Sequence, residues 1–334
     1  MKAQTTNSFG EAFEPDKQVE RVRVGVSACL VGKPVRYDGG HKRDDFLVNV
    51  IGRLVEWVIV CPEAELGLGV PREPMRLFHT AQGVRLVGNH SERDFTAAMY
   101  AFAEKRVREL QEQKLCGYVL KSNSPSCGAQ GVPVWSADKP PVRNGQGLFA
   151  EVLLRQFPNL PVEEEHRLCE PQICANFVRR IFAYHRIQTF FAENWRFADL
   201  VAFHRAHKLL LLAHSPRHYA ELGRLIGQSA KSMEREELRR AYENRFMAAL
   251  KHPPTTGKHV NVLQHVAGLL KNFIDPLSYR ELLEAIEDYR RGLAPLNLPM
   301  RLIRRQVVSH DIAWLKCQVY LASDPAESLF NSST

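Results

Sequence analysis

The sequence predicts an α/β domain, with a mostly parallel sheet and flanking helices, followed by an all-α helical domain. Two observations support this prediction. Short apolar, β-rich runs alternate with helical patterns from residue 21 to about residue 165, and the later chain keeps a helical period without a convincing strand. A length of 334 residues is enough for two domains with sizeable cores. The predicted limits are a flexible tail at 1–20, the α/β domain at 21–168, a linker helix at 169–189, the helical domain at 190–321 and a flexible tail at 322–334.

The elements of the first half are predicted from apolar runs bounded by turn residues. The predicted strands are Val22–Ser27, Val58–Val60, Gly83–Val87, Leu115–Leu120 and Leu160–Val162. The last of these carries a proline, which is typical of an edge strand. The predicted helices are Phe46–Glu56, a long helix from Ser91 as its N-cap to about Lys114, and Gly147–Gln156. Alternation of this kind indicates βαβ units and a parallel sheet.

The second half is predicted to consist of helices separated by prolines, because proline stops a helix. Breaks are expected at Pro216, Pro253, Pro276 and Pro295. The predicted helices are Pro171–His185, Glu193–Leu212, Pro216–Gly227, Met233–His252, Lys258–Phe273, Pro276–Arg291 and Pro299–Tyr320.

Composition indicates a globular protein with an affinity for polyanions. Hydrophobic residues make up 45% and charged residues 25% of the chain, and the net charge is +8, which favours nucleic acid as a partner. No apolar run approaches the roughly 20 residues of a membrane helix. The stretch Met1–Lys17 lacks a signal-peptide core. A cytoplasmic location is therefore expected, where seven cysteines are unlikely to form a disulfide framework.

Three cysteines stand just past predicted strand ends: Cys29, Cys61 and Cys127. Parallel sheets build their sites outside the carboxyl ends of their strands, so the three thiols are expected to converge. Their chemistry alone leaves three possibilities open. They could hold an iron–sulfur cluster with one open iron, they could hold zinc together with a histidine or water, or they could be unrelated buried thiols.

Polar residues next to these cysteines suggest a reactive site. Glu63 could act as a general acid or base, and Ser124 or Ser126 could donate a proton or orient a substrate. Lys121 could meet an anion. The simpler alternatives are that serine and proline only form the turn, and that Glu63 is an acid in the first turn of a helix.

Three motifs resemble the thiouracil desulfidase (TudS) family over residues 21–165. They are Val24-Gly-Val-Ser-Ala-Cys-Leu-Val-Gly-Lys-Pro-Val-Arg-Tyr-Asp-Gly39, Cys61-Pro-Glu63 and Lys121-Ser-Asn-Ser-Pro-Ser-Cys-Gly128. The region 190–310, around Phe197–Lys208, resembles the helical YbgA-type domain. The fused arrangement is similar to the RudS group of tRNA thiouridine desulfidases.

The resemblance implies a [4Fe–4S] cluster on Cys29, Cys61 and Cys127, with one iron left open. It further implies non-redox removal of sulfur from 4-thiouridine in tRNA, which gives uridine and sulfide. Glu63 matches the motif carboxylate. Ser124 is the first choice for the catalytic serine and Ser126 the second.

The partner implied by charge and resemblance is tRNA, and no membrane or obligatory protein partner is expected. Lys121, His204 and Lys208 are the predicted RNA contacts. The histidines of the second half lack a zinc-protease spacing. The alternative functions are desulfidation of free thiouracil or thiolated nucleotides, and an RNA-binding protein with a structural zinc. An electron carrier is disfavoured because it gains nothing from an open iron or from Glu63.

Overall fold

The computed structural model describes residues 21–137, 139–229 and 233–330, so the tail predicted at 1–20 lies outside the described residues. The described chain forms two compact units that divide between Arg186 and Ile187. None of its helices has the length and apolar character needed to cross a bilayer.

The first unit contains strands and helices in alternation. Its described strands are β1 Val22–Ser27, β2 Val55–Val60, β3 Met75–Thr80, β4 Gly83–Gly88, β5 Gly117–Leu120, β6 Val132–Trp135, β7 Val142–Gly145 and β8 Val162–Glu164. Its described helices are α1 Asp45–Asn49, α2 Pro62–Glu65, α3 Thr96–Glu112, α4 Leu148–Gln156 and the larger part of α5 Pro171–Ala192.

A four-stranded parallel sheet in the order β2-β1-β5-β8 forms the centre of this unit and confirms the predicted fold class. Ser27 at the end of β1 is level with Val60 at the end of β2. The strands are apolar because helices cover both faces of such a sheet, and Val24, Val26 and Val119 are fully buried. The strand predicted at Leu160–Val162 lies at the sheet edge as β8, shifted toward the C-terminus.

A second sheet, in the order β4-β3-β6-β7, is mixed and was largely missed. Only β4 was predicted from the sequence. The other three strands contain residues that weaken a strand pattern, such as Arg76 and His79 in β3, Pro133 in β6 and Gly145 in β7. Their pairing depends on partners that are distant in the chain, and β3 pairs in parallel with β6.

The predicted helix Phe46–Glu56 is wrong over its second half. Helix α1 ends at Asn49, a 3₁₀ turn covers Ile51–Arg53, and β2 begins at Val55. Val55 pairs with Val22 across the sheet, so tertiary pairing overrides the local helical period.

Ser91 is not the N-cap of the long helix. Helix α3 begins at Thr96, because the preceding residues run along β4, where the N–H of Phe95 donates to the carbonyl of Leu86 (2.8 Å). The Ser91 hydroxyl instead donates to Glu73.

The helix predicted as a linker at 169–189 is α5, which packs on the parallel sheet. Gly117 in β5 leaves room for it, since a Cβ there would lie 2.5 Å from the Ile181 side chain. Phe177 is fully buried. Residues up to Arg186 therefore belong to the first unit.

The second unit is all-α, as predicted. Its described helices are α6 Phe197–Ala206, α7 Lys208–His214, α8 Pro216–Ser229, α9 Arg235–Leu250, α10 Thr256–Leu270, α11 Pro276–Arg290, α12 Asn297–Ser309, α13 Ala313–Lys316 and α14 Glu327–Phe330. The helix predicted at Glu193–Leu212 is broken at His207, and the one predicted at Pro299–Tyr320 ends at Ser309. Side chains of Thr255 and Asp275 cap α10 and α11.

The flexible tail predicted at 322–334 is ordered over its described part. Ala326 and Leu329 are buried, and Arg304 forms an ion pair with Glu327 (3.2 Å) while its guanidinium donates to the carbonyls of Leu321 and Ala322 (2.8 Å each). The small polar residues of this segment predicted a flexible tail, whereas Arg304 anchors its backbone. Residues 331–334 lie outside the described ranges.

Candidate active site

The three predicted thiols line one cavity of about 380 Å³ at the carboxyl ends of the parallel strands. Cys29 sits in the 3₁₀ turn that follows β1, Cys61 directly follows β2, and Cys127 lies in the turn after β5. Because β2, β1 and β5 are adjacent and parallel, their ends meet at one edge of the sheet. The topology thus brings together residues that are 98 positions apart (127 − 29).

Burial makes these thiols difficult to ionise. It raises the pKa of Cys29 to about 11, with a further contribution from Cys61. Burial also raises the pKa of Cys61, and it raises that of Cys127 well above the usual range, where Cys61 adds to the effect. None of the three forms a disulfide. A bound cation would favour the ionised thiolates, since a coordinated thiol loses its proton outright.

The donor set fits an iron–sulfur cluster better than a zinc ion. A tetrahedral zinc with bonds of about 2.3 Å would need sulfur atoms within about 4 Å of one another. Within the described ranges, no three His, Cys, Asp or Glu side chains are arranged to hold a single metal ion, and no described histidine lines this cavity. A four-iron cluster takes cysteine thiolates, and three cysteines line this cavity. Cys29, Cys61 and Cys127 are the residues that could hold it.

Glu63 lines the same cavity and is held at both of its oxygens. Its Oε1 accepts a hydrogen bond from the Ser126 hydroxyl (2.6 Å), and its Oε2 accepts from Nη2 (2.6 Å) and Nε (2.9 Å) of Arg72. The Arg72 side chain is only 7% exposed, and it also donates to the carbonyls of Val35 and Gly69 (3.0 Å each). The carboxylate is therefore fixed in one orientation by charge-assisted bonds.

Sequence reasoning missed Arg72. It lies in the loop between α2 and β3, where no periodic pattern marks a function, and its partner Glu63 is nine positions away. Only the folded loop shows that the guanidinium contacts the motif carboxylate.

The two candidate serines have different surroundings. Ser124 lines the cavity, and its Oγ accepts hydrogen bonds from the N–H groups of Cys127 (3.1 Å) and Ser126 (3.3 Å). Ser126 is fully buried behind the cavity wall and donates to Glu63. Ser124 is thus placed to meet a substrate, whereas Ser126 is placed to orient the carboxylate.

Gly147 allows the cysteine turn to pack against the start of α4. A Cβ at this position would lie 2.5 Å from the backbone carbonyl of Ser126 and 2.8 Å from the amide of Cys127. Backbone atoms cannot move aside as a flexible side chain would.

We expect Gly147→Ala to lower the free energy of unfolding of the first unit by about 2 kcal/mol, because overpacking of this kind typically costs about 1–3 kcal/mol. Denaturant unfolding followed by circular dichroism measures this loss. Gly223→Ala is the control, since a Cβ there meets nothing within 4 Å and alanine favours a helix. Equal stability of the two variants would contradict the close packing.

Lys121 lies on the cavity wall and is paired with Glu165. Burial alone would raise the pKa of Glu165, but hydrogen bonds from Lys121 and Ser122 outweigh it and lower the pKa. The Ser122 amide donates to this carboxylate at 2.7 Å. The positive charges of Lys121 and Arg36 act on Cys29, and the negative charge of Glu165 opposes them there.

The two predicted RNA contacts of the second unit, His204 and Lys208, both contact aromatic side chains of the protein. His204 faces the Tyr242 hydroxyl (3.1 Å) and stacks on Tyr219, and burial lowers its pKa to about 4. It is therefore uncharged near neutral pH and cannot neutralise a phosphate. The Lys208 ammonium lies over the Trp314 ring, 5.5 Å from its centroid. This geometry is that of a cation–π contact.

Comparisons with known proteins place two families along the chain. Residues 24–165 match the family described as 2-thiouracil desulfurase, and residues 208–325 match the one described as "Protein of unknown function (DUF1722)". Over 141 residues the chain is 32% identical to "Uncharacterized protein YbgA" of Escherichia coli (strain K12), covering 42% of this chain and 83% of that protein.

Two further relatives each match part of the chain. "Uncharacterized protein YbbK" of Bacillus subtilis (strain 168) is 30% identical over 109 aligned residues, and the match covers 31% of this chain and 72% of that protein. A solved structure titled "[4Fe-4S]-dependent thiouracil desulfidase TudS" is 31% identical, with a TM-score of 0.35, covering 44% of this chain and 93% of that one.

Proposed function

We propose that this chain, which belongs to the 2-thiouracil desulfurase family over residues 24–165 and to the YbgA-like DUF1722 family over residues 208–325, removes sulfur from 4-thiouridine in tRNA. One observation carries the proposal: three thiols and a doubly held carboxylate line a single cavity. The cofactor that fits the three thiols is a [4Fe–4S] cluster with one iron not bound by the protein.

The proposed reaction is a hydrolysis that needs no electron donor. Water adds its oxygen to C4 of the base, the C4–S bond breaks, and the sulfur leaves as hydrogen sulfide while C4 becomes a carbonyl. When bound, the cluster supplies a Lewis-acid position for the sulfur. Every atom is accounted for by thiouridine and one water.

The residues of the chain supply proton transfer and orientation. Glu63 takes the proton of the attacking water at a carboxylate oxygen, as a general base does. Arg72 and Ser126 hold that carboxylate in place through their hydrogen bonds. Ser124 lies on the cavity wall, where its hydroxyl can donate to the leaving sulfur or to the base.

Action on tRNA is supported by charge. The chain carries a net charge of +8, and basic residues Arg36, Lys42 and Lys121 stand around the cavity. A thiolated base inside folded tRNA would have to be extruded to enter such a cavity, as for other enzymes that act on bases. We propose that the helical unit binds the tRNA body. A cytoplasmic location follows from that substrate.

The proposal is tested by incubating the anaerobically loaded chain with bulk tRNA and measuring 4-thiouridine by nucleoside analysis. We expect 4-thiouridine to disappear with release of an equal amount of sulfide. Parallel reactions contain free 4-thiouridine and free 2-thiouracil. We also expect kcat/KM on tRNA to fall steeply with salt, because phosphate contacts release counterions, and kcat/KM on the free base to change little. Turnover of free 2-thiouracil alone, with tRNA untouched, would assign the alternative substrate.

A further inference from the structure

The mixed sheet carries arginines and aromatic rings interleaved on one face. Across the strands, Arg85 in β4 is level with Phe78 in β3, which is level with Trp135 in β6. Arg76 lies two positions before Phe78 in β3, so both side chains are on the same face. Arg143 in β7 is level with Pro133 in β6, two positions before Trp135. We call these residues the arginine–aromatic face: Arg76, Phe78, Arg85, Trp135 and Arg143.

This face is turned away from the core of the unit. Side chains alternate along a strand, and the alternate residues Leu77, Leu86 and Val134 are buried. Trp135 is 44% exposed, an unusual exposure for a tryptophan, and Arg143 is also exposed. A large ring held at the surface of a rigid sheet is available for stacking.

Among the described residues, none of the guanidinium groups of Arg76, Arg85 and Arg143 forms an ion pair with a carboxylate. Arg76 lies over the Phe78 ring, 5.4 Å from its centroid. Asp94 provides an opposing charge near Arg85, but its carboxylate accepts a hydrogen bond from the Thr96 amide (2.8 Å).

The face is continuous with the candidate active site. The Arg143 guanidinium donates to Oδ1 of Asn123 (2.6 Å), and Asn123 lines the cavity that holds the three thiols. Asn123 and Arg143 also line an adjoining cavity of about 490 Å³ together with Gln130 and His166. Arg143 therefore links the arginine–aromatic face to the cavity of the three thiols.

We propose that the arginine–aromatic face binds the single-stranded RNA segment that flanks the thiolated nucleotide. Bases stack on Trp135 and Phe78, since every base has a π-face, and phosphates contact the three guanidinium groups. Arginine alternating with aromatic rings matches the alternation of phosphate and base in a polynucleotide. The inference rests on the proposed action on tRNA and adds the surface that recognises it.

The test measures binding and turnover separately in the full chain with its cluster. A fluorescently labelled single-stranded oligouridylate reports binding, and kcat and KM are measured on tRNA and on free 4-thiouridine. We expect Trp135→Ala to weaken oligouridylate binding about tenfold or more and to raise KM on tRNA, with free 4-thiouridine turnover unaffected. Arg76→Gln and Arg85→Gln should each reduce the slope of log affinity against log salt by about 0.7.

Arg108→Gln is the matched control, because Arg108 is an exposed arginine on α3 and is not part of the mixed sheet. Unchanged oligouridylate affinity and salt slope in the Trp135, Arg76 and Arg85 variants would overturn the inference, even if the chain desulfurates tRNA. A chain that acts only on free 2-thiouracil would refute the proposed function, and oligouridylate binding would still decide whether the face binds RNA. Self-association that is lost in Trp135→Ala, without RNA binding, would assign the face to protein contact and also overturn the inference.

Discussion

Replacement of Cys127 by alanine is expected to abolish iron binding and desulfidation together. Cys127 is one of the three thiols that line the cavity among the described residues, and it is the most deeply buried of them. With two thiolates left, a four-iron cluster has too few protein ligands to be retained. Iron and sulfide analysis after anaerobic reconstitution, the visible absorbance of the cluster and the turnover of 4-thiouridine measure the effect.

Cys116→Ala is the matched control for this experiment. Cys116 is also buried and lies on the same stretch of chain, but its thiol faces His185 (3.7 Å) and is not part of the cavity. We expect this variant to keep its iron and its activity. Full iron content in the Cys127 variant would overturn the ligand assignment, whatever its activity.

Glu63→Gln is expected to lower kcat about 100- to 10,000-fold, the usual contribution of general acid–base catalysis, with the iron content unchanged. The amide cannot take a proton from water. The NH₂ group of glutamine cannot face the guanidinium of Arg72, which has no acceptor, so it would face the Ser126 hydroxyl, which would then accept instead of donate. Steady-state measurement of kcat in the reconstituted variant tests this, with iron analysis of the same sample.

A weaker variant and a control separate chemistry from folding. Ser126→Ala removes one of the bonds that orient Glu63, so we expect a smaller loss of kcat than for Glu63→Gln. Glu56→Gln alters an exposed carboxylate of β2 that pairs with Arg23 on the surface, and it should have no effect. Wild-type kcat in iron-loaded Glu63→Gln would remove Glu63 from the mechanism.

The sequence predicted those parts of the site that depend on local sequence patterns. Strand β1 was predicted with its observed limits, and the strand-end positions of Cys29, Cys61 and Cys127 follow from apolar runs that end in turn residues. Parallel order then required the three thiols to meet. The all-α second half was predicted because helical period and proline breaks are also local signals.

Other features depend on contacts between distant residues. No local sequence pattern predicts the hydrogen bonds of Arg72 to Glu63 or the burial of Ser126 behind the cavity. None predicts the row from Arg85 through Phe78 to Trp135 either. The neutral state of His204 also follows from burial, which composition does not show.

The sequence by itself therefore determined the two-part architecture, the three candidate ligands and the motif carboxylate of this protein. Only the tertiary structure decided which groups hold that carboxylate, which serine lines the cavity and which sheet face carries the arginines and aromatic rings. The physical reason is that the period of apolar residues fixes local conformation and the buried side of an element, whereas strand register and loop packing fix which distant side chains come within hydrogen-bonding distance.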